Sequence, residues 1–223
     1  MVNYARWTNA ANVAALLMLF AALFTRSAAV AAMLILMPWA ALGVVRLTTG
    51  AVRIDRARRE SRKPNLALVY AMPSFALTGA SLLSAHVLRW TEAVIPTLVL
   101  ALAMFAATLC VERHLARLSW TLTPFVFLAA MYGIGASLQA NILLDRSEPQ
   151  LFRAPVEGKR VVRGKSTEYR LQLGEWGPQT AGSRVSVPFP LYVAASPGTP
   201  VCIGLRAGAL GIRWYTVARC GAE

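Results

Sequence analysis

The chain has 223 residues, 57% of them apolar and 15% charged, with a formal net charge of +13. Average soluble domains hold roughly 45–50% apolar and about 25% charged residues, so this composition excludes an ordinary soluble fold unless its apolar residues are segregated. The positive charge is not one nucleic-acid-binding patch, because twelve of the 23 Lys and Arg residues precede residue 118, mostly in short connectors beside apolar runs.

The segregation is plain along the chain. Asp, Glu, Lys and Arg are absent from residues 7–25, 27–45, 64–88, 93–111 and 118–144, runs of 19, 19, 25, 19 and 27 residues. A helix crosses the hydrocarbon core in about 20 apolar residues at ~1.5 Å each. Soluble helices need a polar face and rarely stay uncharged for so long. The expectation is a membrane α-helical bundle over residues 1–144, with five transmembrane helices at about 8–25, 27–45, 65–88, 93–111 and 119–144. The first hairpin is tight, with only Thr25, Arg26 and Ser27 between two runs. Two alternatives are a re-entrant or interfacial pair over 8–45 and a cleaved signal peptide ending near Ser27-Ala28-Ala29.

The connectors predict an orientation. Arg6, the 46–64 connector (Arg46, Arg53, Arg56, Arg58, Arg59, Arg62, Lys63) and the 112–117 connector (Arg113, Arg117) hold ten basic residues, against Arg26 and Arg89 on the other side. Basic loops are retained in the cytoplasm, so the N-terminus is expected inside and everything after residue 144 outside.

Within the runs, Pro96 and Pro124 fall near predicted helix starts, whereas Pro38 and Pro73 lie deeper, where they kink a helix or are tolerated by packing. Ala129, Gly133 and Ser137 recur at steps of four. Such a small-residue stripe lets helix backbones approach closely in lipid, and it is the predicted packing face of the last helix. His86, Arg89, Glu92, Gln139, Asn141, Asp145 and Arg146 sit near the predicted outer helix ends. They read either as a polar cluster that binds a ligand or ion or as ordinary interfacial anchoring beside Trp90.

Residues 145–150 read as a polar linker, and 151–223 as a small extracytoplasmic all-β domain, a barrel or sandwich. Alternating apolar residues predict strands at 151–156, 159–163, 167–173, 184–187, 191–194, 200–205 and 212–218. Turns are expected at Gly158, Gly164, 174–182, 196–198 and 208–211. So small a core gains from a staple, and Cys202 with Cys220 is the expected disulfide. A turn centred at residue 208 places Cys202 opposite 214, so the pairing requires a bulge or a Cys220 that folds back beyond its strand. Cys110 reads as an apolar filler. The domain carries eleven Lys and Arg against six acids, densest at Lys159, Arg160, Arg163 and Lys165. That cluster reads as a solvated hairpin or as a contact for anionic lipid headgroups or cell-wall polymers.

Catalytic motifs are not found: no Gly-rich phosphate loop, no His-Glu-x-x-His, no Cys-x-x-Cys and no Gly-x-Ser-x-Gly. His86 and His114 are expected on opposite sides of the bilayer. No catalytic residue, metal ligand or cofactor site is assigned.

Two stretches carry a resemblance. One is Asp145-Arg146-Ser147-Glu148-Pro149 followed by a strand pair and Tyr169-Arg170-Leu171. The other is Cys202, then Gly208-Ala209-Leu210-Gly211-Ile212-Arg213-Trp214-Tyr215, then Cys220. Together they resemble uncharacterised bacterial inner-membrane proteins with several helices and a small C-terminal extracytoplasmic β domain. The layout is loosely similar to NfeD-like proteins, where a helical bundle precedes an OB-fold. The resemblance implies the bacterial inner membrane and no activity.

The leading functional expectation is a non-enzymatic inner-membrane protein whose outer domain contacts envelope proteins or anionic headgroups. The alternatives are a small transporter or channel component and, more weakly, a lipid-modifying enzyme using the outer cluster. The lipid bilayer is the one certain partner on this reading, and nucleic acid is excluded.

Overall fold

The computed structural model describes residues 4–25, 27–48, 51–54, 64–112, 119–164 and 167–221. These divide into a helical unit and a β unit, the latter taking His86–Leu88 together with the chain from Asp145.

The helical unit holds α1 (Tyr4–Phe24), α2 (Ala28–Leu47), α3 (Ala67–Ser84), α4 (Val94–Val111, entered by a 3-10 turn over Trp90–Ala93) and α5 (Ser119–Leu143). Among the described residues four stretches are long and apolar enough to cross a membrane: Tyr4–Phe24, Ala28–Leu47, Trp90–Val111 and Leu122–Leu143. The expected long third span is shortened. The backbone turns extended at Ala85 (φ −90°, ψ 121°), so α3 stops at Ser84 after 18 residues. The residues beyond it then pair as a strand rather than adding a helical turn.

Burial explains why α3 tolerates its polar side chains. It lies between α1, α2 and α5, and Tyr70, Ser74, Ala76, Leu77, Thr78 and Ser81 are all buried. In contrast, α1 and α4 keep long apolar side chains exposed, among them Leu17 and Phe20 on α1 and Leu98 and Leu102 on α4. A water-soluble helix would not leave such a face bare. Close approach dominates the α5 contacts. A Cβ on Gly133 would meet Thr97 O at 2.5 Å, and one on Gly135 would meet Thr78 N at 2.4 Å. So α5 abuts α4 on one side and α3 on another, with Ala129 and Ser137 also buried. Gly135 lies off the predicted stripe because a second neighbour takes a second face.

The β unit is a six-stranded antiparallel sheet in the order β1-β6-β5-β2-β3-β4 that curls into a nearly closed, barrel-like layer. Its strands are β1 (His86–Val87), β2 (Gln150–Arg163), β3 (Thr167–Leu173), β4 (Ser183–Val187), β5 (Pro200–Arg206) and β6 (Trp214–Arg219). The two strands expected at 151–156 and 159–163 are one strand. Gly158 does not turn the chain; the register slips between Val156 and Gly158. Residues 150–155 pair with β5, and Val156 and residues 158–163 pair with β3. A bulge bends a strand and increases its twist, which lets one long strand serve both halves of the sheet. One core fills the interior, built on Ala154, Val156, Leu171, Leu173, Val185, Val201 and Ile203.

The expected strand at 191–194 is instead a short helix, α6 (Phe189–Ala194), with Pro188 at its N-cap and Pro190 in its first turn. Proline there has the right φ and needs no N–H partner, a start signal that outweighs the apolar alternation.

Candidate functional site

The seven residues expected to form one outer cluster divide between the two units. In the helical unit, Gln139 Nε2 donates to Ser81 Oγ at 3.1 Å, and Asn141 is buried. Arg89 precedes the 3-10 turn, and Glu92 lies within it. In the β unit, His86 lies on β1 opposite Tyr215 and stacks on its ring at 5.4 Å between centroids. His86 is therefore a strand residue, not a helix-end group. Arg146 is exposed.

Asp145 organises the entry to the β unit. Its Oδ1 accepts from Ser147 N at 2.8 Å, and its Oδ2 accepts from Gly208 N at 3.1 Å and Trp214 Nε1 at 2.7 Å. Partial desolvation pushes the carboxyl up, but the hydrogen bonds from Ser147, Trp214 and Gly208 outweigh it and hold the pKa below the usual aspartate range. This carboxylate clasps the 207–213 turn to the start of the domain. The same turn sets the disulfide. Arg206 pairs with Trp214 and Cys202 with Ala218, so the hairpin centre lies beyond residue 208. Cys220 then follows the last pair of β6 and folds back to bond Cys202, with Cα atoms 4.9 Å apart.

The helical unit holds a polar lattice that the charge-free runs hid. Asn12 Oδ1 accepts from Leu68 N at 3.1 Å and Val69 N at 3.3 Å, and its Nδ2 donates to Asn65 O at 2.8 Å. A side chain of α1 thus caps α3, whose first N–H groups have no intrahelical acceptors. Glu112, at the start of the 112–117 connector, is 5% exposed and accepts from Ile54 N at 3.1 Å. Val52 and Ile54 of the 46–64 connector are buried as well. The remaining basic residues of the connectors (Arg26, 56–63 and 113–117), His114 and Lys165 lie outside the described residues.

The β unit also carries an exposed apolar ledge that strand periodicity alone did not reveal. The β2–β3 hairpin continues past the core: Lys159 is opposite Leu171, and Val161 is opposite Tyr169, which in turn is opposite Val187. On this extension α6 lays Phe189 and Tyr192 against Tyr169, with ring centroids 4.9 Å and 5.1 Å apart. Lys159 Nζ lies 4.4 Å from the Tyr192 ring centroid and donates to Ala195 O at 2.7 Å. Phe189 is 55% exposed and Val193, one helical turn on, is 59% exposed. Pro188 and Pro190 were the available signal for this helix, and with it for the ledge.

Among the described residues no group of three or more His, Cys, Asp or Glu side chains is placed to hold a metal ion. The fold and site thus define a bundle of apolar helices joined to a disulfide-closed β barrel-like domain with an aromatic and basic ledge. No family model, curated protein or solved structure matches the chain.

Proposed function

We infer that the chain is an integral protein of the bacterial inner membrane that holds its β domain on the extracytoplasmic side, where the domain makes protein or envelope contacts. The observation that carries this reading is a disulfide-closed domain with an exposed apolar ledge on a bundle whose long helices present apolar side chains outward. Disulfides persist in oxidising compartments and are rare in the cytosol. The ten-to-two bias of basic connectors supports the same orientation.

The connectivity adds an argument about sidedness. β1 follows α3 directly and pairs with β6, so the chain after α3 and the chain after α5 share one compartment. Two crossings, α4 and α5, satisfy this. With the 46–64 connector in the cytoplasm and the disulfide outside, α3 must cross too. Its 18 residues span roughly 27 Å at 1.5 Å each, against a core of about 30 Å, a mismatch absorbed by slight thinning of the bilayer. The tight α3–α5 contact at Gly135 favours a packed bundle over the transporter reading.

The test is an alkaline phosphatase fusion after Glu223, compared with a cytosol-active reporter at the same position. Phosphatase activity is expected. Activity of the cytosolic reporter alone would remove the compartment and the contact role together. Co-purification in mild detergent then asks whether a protein partner accompanies the domain.

A further inference from the structure

We propose that the ledge formed by Val161, Tyr169, Phe189 and Val193, with Lys159 and Arg163 beside it, docks the β domain onto the anionic headgroup layer of the bilayer that holds the helices. The proposal rests on the membrane reading above and names the partner of its outer domain.

The alternation of β2 puts Lys159, Val161 and Arg163 on one face of the hairpin. Leu171 and Val185, on the same face, lie under the core, whereas Val161, Phe189 and Val193 are exposed. Phe189 and Val193, four residues apart on α6, project from one side of it. An aromatic and an aliphatic tip flanked by long cationic side chains is the composition of a surface that sits at the boundary between headgroups and acyl chains. The nearest acid of the hairpin, Glu168, is on the opposite face and is ion-paired to Arg170 at 2.6 Å. The chain from residue 145 carries eleven Lys and Arg against six acids, so its overall charge has the same sense.

Charge decides between lipid and protein partners. Anionic lipid is present at high local concentration beside any domain tethered to membrane helices, and tethering makes docking effectively intramolecular. Three chain passages, at residues 85–86, 88–89 and 144–145, provide that tether. Weak individual contacts therefore suffice.

The experiment uses the full chain with Cys110→Ser, so that one new cysteine can carry an environment-sensitive fluorophore, in lipid nanodiscs of phosphatidylcholine with or without phosphatidylglycerol. A probe at Val193→Cys is expected to shift to the blue and to be quenched by a shallow spin-labelled lipid when phosphatidylglycerol is present. Reversal of Arg163 to Glu should weaken docking about fivefold, reversal of Arg160 on the opposite face should weaken it less, and high salt should weaken it further. An unshifted, unquenched probe in both lipid compositions overturns the proposal. Shielding in detergent that grows with protein concentration also overturns it and assigns the ledge to a second copy. A control probe at Leu102→Cys on α4 separates the two readings. Quenching there by a deep spin label without any at Val193 removes docking alone, whereas no quenching at Leu102 removes the membrane reading and docking with it.

Discussion

At Gly135 the structure demands the absence of a side chain. A Cβ there would lie 2.4 Å from Thr78 N and 2.6 Å from Leu77 C, both backbone atoms that cannot swing aside. Gly135→Ala should destabilise the helical unit by about 1–3 kcal/mol, the usual cost of overpacking, read as a lowered Tm in detergent. Gly43→Ala is the control, since nothing lies within 4 Å of that position. Asp145 makes a second residue-scale prediction. Its folded pKa is depressed, so its contribution is present above the unfolded value and is lost as pH falls through the folded one. The β unit should therefore lose stability below about pH 3.9, the ordinary aspartate value. Asp145→Asn should flatten that acid limb, measured by tryptophan fluorescence across pH. The Ala129–Gly133–Ser137 stripe was legible from its spacing. Gly135 was not, because periodicity reports one face and α5 meets neighbours on two.

Among elements, α3 depends most on others. Its N-terminus is capped by Asn12 of α1. Asn12→Leu removes the acceptor for two N–H groups, and a loss of about 1–2 kcal/mol is expected, seen as earlier unfolding of the full protein in detergent. The α2–α5 contact works in a similar way. Pro38 deprives the Leu34 carbonyl of its i+4 donor, and beside it Tyr132 Oη donates to Ile35 O at 2.8 Å while accepting from Trp39 Nε1 at 2.7 Å. A neighbouring helix thus supplies polar partners where a proline interrupts the ladder. In the β unit, the hairpin of β5 and β6 is closed by Cys202–Cys220 across a sequence separation of 18. Cys202→Ser with Cys220→Ser should cost about 3 kcal/mol, measured by denaturant unfolding with and without reductant. The Asn12 and Tyr132 contacts join residues distant in sequence, so no local pattern announced them. The surroundings of the outer polar residues were hidden for the same reason. The Asp145 partners come from residues 208 and 214, and His86 belongs to a strand that pairs with 215.

At the scale of the whole molecule, β1 links distant parts of the chain: a two-residue strand between α3 and α4 belongs to the same sheet as the C-terminal chain. Disrupting the pairing of β1 with β6, for example with Leu88→Pro, removes the N–H that donates to Arg213 O at 2.9 Å and should loosen the β unit. Faster proteolysis in nanodiscs is the expected readout, with α4 still protected.

The division into long apolar helices and a C-terminal β unit was readable from the chain alone, because a stretch with no formal charge and some 20 apolar residues favours a continuous helix that satisfies its own backbone, whereas alternating residues favour strands. The disulfide pair was readable because only two cysteines stand outside the apolar runs. Tertiary structure alone decided the length of α3, the capping by Asn12 and the burial of Glu112. In each of these the deciding force is a hydrogen bond or a packing contact between segments dozens of residues apart. Burial that such contacts create leaves no mark in local hydrophobic periodicity.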